Sequence, residues 1–250
     1  MIQLKSRREI EVMRKAGQLT DRARRLAGEM TVPGVTTAEI DREVKRLIEK
    51  DGGTPAFLGY RGFPNSVCIS VNEEVIHGIP GHRVIAHGDI VSVDVGVLLG
   101  GFYGDCAATF AAGEVTAETR RLIDVTRQSF CEGLAFCKEG HRLSDISHAI
   151  GSYAEAHGFS VVRDFVGHGI GQQLHEDPEV PNFGVKGRGT RLRAGMTLAI
   201  EPMINAGGYA VQILADGWTV ITADGSLSAH YENTVLITDG EPEILTVSNL

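Results

Sequence analysis

The chain has 250 residues, 42% of them hydrophobic and 22% charged, which supplies one sizeable core and an ordinary globular charge content. Its net charge of −8 argues against stable nucleic-acid binding or a general affinity for anionic membranes. No window approaches the roughly 18 apolar residues of a membrane span, and the charged start MIQLKSRREIEVMRKAG lacks a secretory apolar core. The four cysteines (Cys68, Cys106, Cys131, Cys137) show no CxxC or disulfide-framework spacing, so the expected compartment is the cytoplasm.

Residues 6–30 read as a helix, with Ile10, Met13, Leu19, Ala23 and Leu26 near helical spacing. Its cations (Arg7, Arg8, Arg14, Lys15, Arg22, Arg24, Arg25) read as a solvated face, with a transient ribosome contact as the functional alternative. Pro33-Gly34 break the helix, and Thr36 with Glu39 form a capping box for a second helix ending near Gly52-Gly53. Strands are expected from about Val67 to Phe110. The order then recurs, with a helix near 117–137, a break at Gly140, a helix near 144–157 ending at Gly158, and strands to the C-terminus.

The recurrence extends to single residues. At an offset of 106, Gly34 matches Gly140, Glu39 matches Asp145 and Ile40 matches Ile146. Val44 then meets Ile150, Glu49 meets Glu155, and Gly52 meets Gly158. Breaks, caps and core positions repeat in register, which implies two similar α+β halves, approximately 1–110 and 111–250, packed into one domain spanning 1–250. A cleft between such halves is a natural active site.

Several strands carry an acid where an apolar residue is expected. IVSVDVGV (90–97) alternates with period two, Val91, Val93, Val95 and Val97 on one face and Ser92, Asp94 and Gly96 on the other. A buried carboxylate there needs a cation or donors. If Gly100-Gly101 form a two-residue hairpin loop, Leu99 pairs with Phe102 and Asp94 with Ala107. Asp105 then becomes a diagonal neighbour of Asp94 on the same face, although a one-residue slip would move it to the other. MTLAIEP (196–202) places Glu201 on a face with Thr197 and Ala199, and LSAHYENTVLIT (227–238), read as one strand, places Glu232 with Ser228, His230 and Thr234. His168 lies in VGHGIG, where Gly167 and Gly169 allow close approach of backbone and ligand.

Asp94, Asp105, His168, Glu201 and Glu232 together supply four carboxylates and one imidazole, a donor set suited to two divalent ions such as Co, Mn, Fe(II) or Zn. Taken singly, each acid reads more readily as a satisfied structural group. Asp105 after Gly104 could cap a turn, and Glu232 could face solvent.

In that order and context, the five residues resemble the ligand set of the pita-bread metallopeptidases, which include methionine aminopeptidases, prolidase, aminopeptidase P and creatinase-like enzymes. The chain is most similar to the type I methionine aminopeptidases of peptidase family M24. The segments that carry this are LGYRGFPNSVCISVNEEVIHGIP (58–80), DIVSVDVG (89–96), GDCAATF (104–110), FVGHGIGQQLHEDP (165–178), AGMTLAIEPM (194–203) and HYENTVLIT (230–238). The resemblance implies an α+β pita-bread fold with antiparallel strands around a central dinuclear metal site and helices outside. It implies the five residues as ligands, Asp105 and Glu232 bridging, and His77 and His175 as substrate-contacting residues. Tyr60, Phe63, Cys68, His77 and Trp218 map to the pocket for a methionine side chain. Phe57, Phe63 and Leu174 depart from the residues usual there yet remain apolar. A monovalent cation beside Asn72 and the Ser228 carbonyl is also implied. The activity implied is removal of the N-terminal methionine from nascent chains with a small second residue, by a monomer, with Glu201 moving protons and His175 facing the carbonyl oxygen.

Xaa-Pro peptidases of this fold usually carry an extra N-terminal domain, whereas this chain starts almost directly at the first helix. His175 and Glu201 are 26 positions apart, too close for the helical insertion of the type II enzymes. Metal-free binding proteins of the fold have lost ligands, and all five are present here.

Overall fold

The computed structural model describes residues 2–247. Ser6 opens α1 (Arg7–Met30), its side chain accepting from the Glu9 N–H while the Glu9 carboxylate accepts from the Ser6 N–H. Thr36 and Glu39 open α2 (Thr37–Lys50) with the same reciprocal pair, as expected, so two helix-end donors are satisfied at once. β1 (Thr54–Pro55), β2 (Cys68–Val71), β3 (Glu74–Ile76), β4 (Ile90–Leu99) and β5 (Phe102–Ala111) follow. Next come α3 (Ala117–Leu134), α4 (Leu143–Ala156), β6 (Ser160–Val161), β7 (Gly167–Gly169) and β8 (Glu176–Val180). The chain continues through β9 (Thr197–Ile200), β10 (Met203–Asn205), β11 (Val211–Ile213) and β12 (Val220–Thr222). β13 (Ser228–His230), β14 (Asn233–Leu236) and β15 (Glu243–Ile244) complete it.

The apolar stripes find their partners. Leu19, Ala23, Ile40 and Val44 pack on Val91, Val93, Val95 and Val97 of β4. Phe130, Ile146 and Ile150 pack likewise on Leu198, Ile200 and Val235. Each fully buried aliphatic side chain contributes about 1.5–3 kcal/mol. Ile40 and Ile146 are both completely buried. Gly34 and Gly140 both adopt the left-handed region, at φ 95° and 94°, as do Gly52 and Gly158, each at 80°. Asp145 accepts from the Arg142 N–H as Glu39 does from Thr36, but a guanidinium cannot accept in return, so only half of the box forms at α4.

β4 and β5 form the expected hairpin around Gly100 and Gly101, both at positive φ. Leu99 faces Phe102, Asp94 faces Ala107 and Gly96 faces Asp105, with no slip. Asp105 therefore lies mid-strand and caps no turn. β15, β14, β9, β7 and β8 form a second, antiparallel sheet in that order.

Two expectations are corrected. α3 ends at Leu134 and not near 137, because the Phe136 and Cys137 N–H groups turn back to the Gly133 and Leu134 carbonyls. The segment 227–238 is not one strand: β13 pairs with β10, whereas β14 pairs with β9 and β15. At the crossing, the Tyr231 N–H donates to the Pro202 carbonyl, and Glu232 exchanges both backbone bonds with Ala107 of β5 (2.9 and 3.3 Å). β9 and β10 are divided at the matching place, Glu201-Pro202, where proline has no N–H to give. Among the described residues no helix is long and apolar enough to cross a membrane.

Candidate metal centre and adjoining pocket

The two sheet crossings set Glu201 and Glu232 opposite the β4–β5 hairpin that carries Asp94 and Asp105. All four carboxylates and His168 line one cavity of about 130 Å3. Asp105, His168 and Glu232 each offer a ligand atom within 4.8 Å of the other two. Glu201 Oε1 lies 3.6 Å from His168 Nε2. Glu232 is 2% exposed, so it does not face solvent.

His168 is fixed in a ligand-ready form. Its Nδ1 lies 2.9 Å from the Gly169 carbonyl, which can only accept. The proton is therefore on Nδ1, and the bare Nε2 lone pair is directed among carboxylates. Burial holds this imidazole neutral, with its pKa down at about 3. The flanking glycines admit neighbouring strands: a Cβ at Gly167 would meet the Ala199 carbonyl at 2.4 Å, and one at Gly169 the Asp177 carbonyl at 2.1 Å. Their role is thus close backbone approach.

The carboxylates are short of partners. Asp94 Oδ1, Asp105 Oδ1 and Glu232 Oε1 are buried and have no hydrogen-bond partner. Burial, and then the neighbouring carboxylates, push the Asp105, Glu201 and Glu232 pKa values well up. Burial raises Asp94 to about 7. Orphaned carboxylate oxygens beside an imidazole lone pair repel one another unless a cation or protons lie between them. The donor set, oxygen-rich with one nitrogen, fits a divalent metal.

Next to this acidic end the cavity is apolar. Phe57, Phe63, Cys68 and Leu174 are buried in its wall, and Tyr60, His77 and Trp218 complete it. The Trp218 ring meets Phe63 edge-on at 5.2 Å and His77 at 6.2 Å. His77 sits at φ 58°, and burial followed by the nearby His175 lowers its pKa to about 4. At the mouth, His175 stacks on Tyr60 and lies 4.1 Å from the His168 ring. Tyr60 Oη is 2.9 Å from His175 Nδ1. With the phenol donating, the His175 proton is on Nε2. Asn72 and Ser228 also meet, the Ser228 N–H donating to the Asn72 carbonyl. The Asn72 side chain is engaged by Asp89 and by the Ile90 N–H.

The description "Metallopeptidase family M24" matches residues 11–239. The methionine aminopeptidase of Clostridium perfringens is 57% identical over 99% of both chains. Methionine aminopeptidase 1 of Bacillus subtilis is 49% identical over 98% of this chain and 99% of its own. The crystal structure of methionine aminopeptidase from Thermotoga maritima superposes with a TM-score of 0.98 at 47% identity, covering 99% of this chain and all of that one. The chain belongs to the methionine aminopeptidases of metallopeptidase family M24. Prolidase from Pyrococcus furiosus, at 23% identity and a TM-score of 0.81, shares the fold over 99% of this M24 chain and 66% of its own. That is the pita-bread fold.

Some residues around this M24 site were not singled out by sequence. Arg61 lines the mouth at φ 48°, and its charge adds to the lowering of the His175 pKa that burial begins. Its place between Gly59 and Gly62 in a tight turn was the available signal. Asn182 is fully buried and donates from Nδ2 to the Glu201 carbonyl at 3.0 Å. Nothing in its sequence surroundings marks it. Of the α1 cations, Arg14, Arg22, Arg24 and Arg25 are ion-paired within the chain, to Glu243 and Glu11, Asp51, Asp21 and Asp21 respectively.

Proposed function

We propose that this chain removes the N-terminal methionine from nascent polypeptides with two divalent ions, held by Asp94, Asp105, His168, Glu201 and Glu232. The observation that carries this is the His168 lone pair facing orphaned carboxylate oxygens at the end of an apolar pocket. Bound there, the metal supplies a Lewis acid for the substrate's α-amine and scissile carbonyl and lowers the pKa of the attacking water toward neutrality. The residues do the rest. Phe57, Phe63, Cys68, Leu174 and Trp218 hold the thioether side chain. His175 Nε2–H donates to the carbonyl oxygen as it gains negative charge. Glu201 takes the proton from water and returns it to the leaving amine. His77 contacts the peptide amide. Because the pocket admits one side chain, the second residue stays at the mouth between Tyr60, Arg61 and His175, which favours a small one.

The same reading includes Co, Mn, Fe(II) or Zn as the metal, a monovalent cation beside Asn72 and Ser228, a monomer, and a cytoplasmic location. The paired left-handed glycines and half-shared caps support one domain of two related halves, 1–110 and 111–250. A ribosome contact through α1 would fall to Arg7, Arg8 and Lys15, since the other cations are paired.

Metal-stripped protein should be assayed on Met-Gly-Ser-Met and on Xaa-Pro peptides, with each metal added back in turn. Metal-dependent methionine release with little Xaa-Pro cleavage is expected. Inactivity with every metal would return the chain to a binding role.

A further inference from the structure

We infer that Thr234 is a positioning residue for the metal centre, holding the Asp105 backbone in place across the junction of the two sheets; this rests on the reading of Asp105 as a ligand. β5 runs antiparallel past residues 230–234. At the middle of this seam Ala107 and Glu232 exchange both backbone bonds directly. Two residues to either side, the facing pairs are Asp105 with Thr234 and Thr109 with His230. Neither pair bonds backbone to backbone. The Thr234 hydroxyl accepts from the Asp105 N–H and donates to the Asp105 carbonyl, both at 3.0 Å. The Thr109 hydroxyl does the same for His230, both at 2.9 Å.

Alternate residues of a strand turn their N–H and C=O groups to opposite edges. Those of Asp105, like those of Ala107, face the seam and not β4. One buried hydroxyl therefore satisfies both main-chain groups of a candidate ligand. Thr234 is 1% exposed and is itself anchored. Its N–H donates to Thr246 Oγ1 at 3.1 Å, and the Thr246 hydroxyl donates to Asn233 Oδ1 at 2.9 Å. That oxygen also accepts from Arg24 of α1, which is paired with Asp21 at 2.6 Å. The Asp105 carboxylate is two rotatable bonds from this backbone, so any shift at the seam reaches the cluster directly.

Isothermal titration of Mn(II) into the metal-stripped full chain tests this. Thr234→Val keeps shape and loses the hydroxyl, and should weaken Mn(II) binding about 10–100-fold, the range for residues that orient a ligand. Thr234→Ser should restore affinity to near wild type. Thr109→Val loses the equivalent two bonds at the other end of the seam and also the one to Ser92 Oγ at 2.7 Å; it should lower Tm at least comparably and leave Mn(II) affinity near wild type. Wild-type affinity in Thr234→Val, or equal weakening in Thr109→Val, overturns the inference while leaving the metal reading intact. No Mn(II) binding by the wild-type protein removes both. Should Thr234→Val not fold, hydrogen exchange in the wild-type metal-free protein decides. The Asp105 amide should be as protected as that of Ala107, and free exchange at Asp105 overturns the assignment.

Discussion

The chemistry proposed at the mouth of the cavity turns on one proton. With the Tyr60 phenol donating across the 2.9 Å to His175 Nδ1, Nε2 is left as the donor that the proposed role requires. His175→Ala should lower kcat by about 10²–10³, the effect of losing one donor to a developing oxyanion, with Mn(II) affinity unchanged. Equal loss of activity and metal would sink that role. Tyr60→Phe frees the ring to take the other tautomer, and steady-state kinetics should show a lower kcat with metal affinity retained. The acids were legible from sequence because a carboxylate in a period-two apolar strand is anomalous on its own terms. Asn182 and Thr234 were not, because a buried amide or hydroxyl is unremarkable until its partner, Glu201 or Asp105, is known. That partner is distant in sequence for Thr234, so no local pattern reports it.

Caps, glycine breaks and the β4–β5 register were readable at the level of elements because each depends on neighbours a few residues apart. The split of 227–238 was not readable. Its alternation is continuous, and the break is imposed by Ala107 and Pro202 from elsewhere in the chain. The segment leading to His175 shows the same dependence. Lys5 Nζ lies 2.5 Å from Glu176 Oε2, with both side chains nearly buried, and Glu176 also accepts from the Gln173 N–H. The Lys5 N–H in turn donates to the Gly195 carbonyl. The start of the chain thus straps down the loop that carries Leu174 and His175. Lys5→Met leaves the Glu176 charge buried and unpaired, and should cost about 3–5 kcal/mol in urea unfolding. Adding Glu176→Gln should recover part of that loss. If the single and double variants unfold alike, the pair does not act as a unit.

For the whole molecule, the cluster makes stability depend on metal and pH together. In the metal-free protein burial raises Asp94 to about 7 and raises Asp105, Glu201 and Glu232 well above the usual carboxylate range. Near neutral pH the native state therefore holds protons that the unfolded chain, with carboxylates near about 4, has released. Stability then falls as pH rises. The buried histidines act in the opposite sense. His77, lowered to about 4, and His168 and His230, lowered to about 3, favour stability that rises with pH up to the ordinary value near about 6.5 and adds no slope above it. Between about pH 7 and 8 the carboxylates set the slope, and nearer pH 9 the buried thiols of Cys68, Cys106 and Cys137, which burial pushes up, add to the same fall. Calorimetry in EDTA should show Tm falling across that window. Saturating Mn(II) takes the place of the protons and binds more tightly as they leave, so the loaded protein should hold or gain Tm over the same range. A metal-free Tm that rose from pH 7 to 9 would mean that the four carboxylates are already ionised together, and that protons do not stand in for the metal.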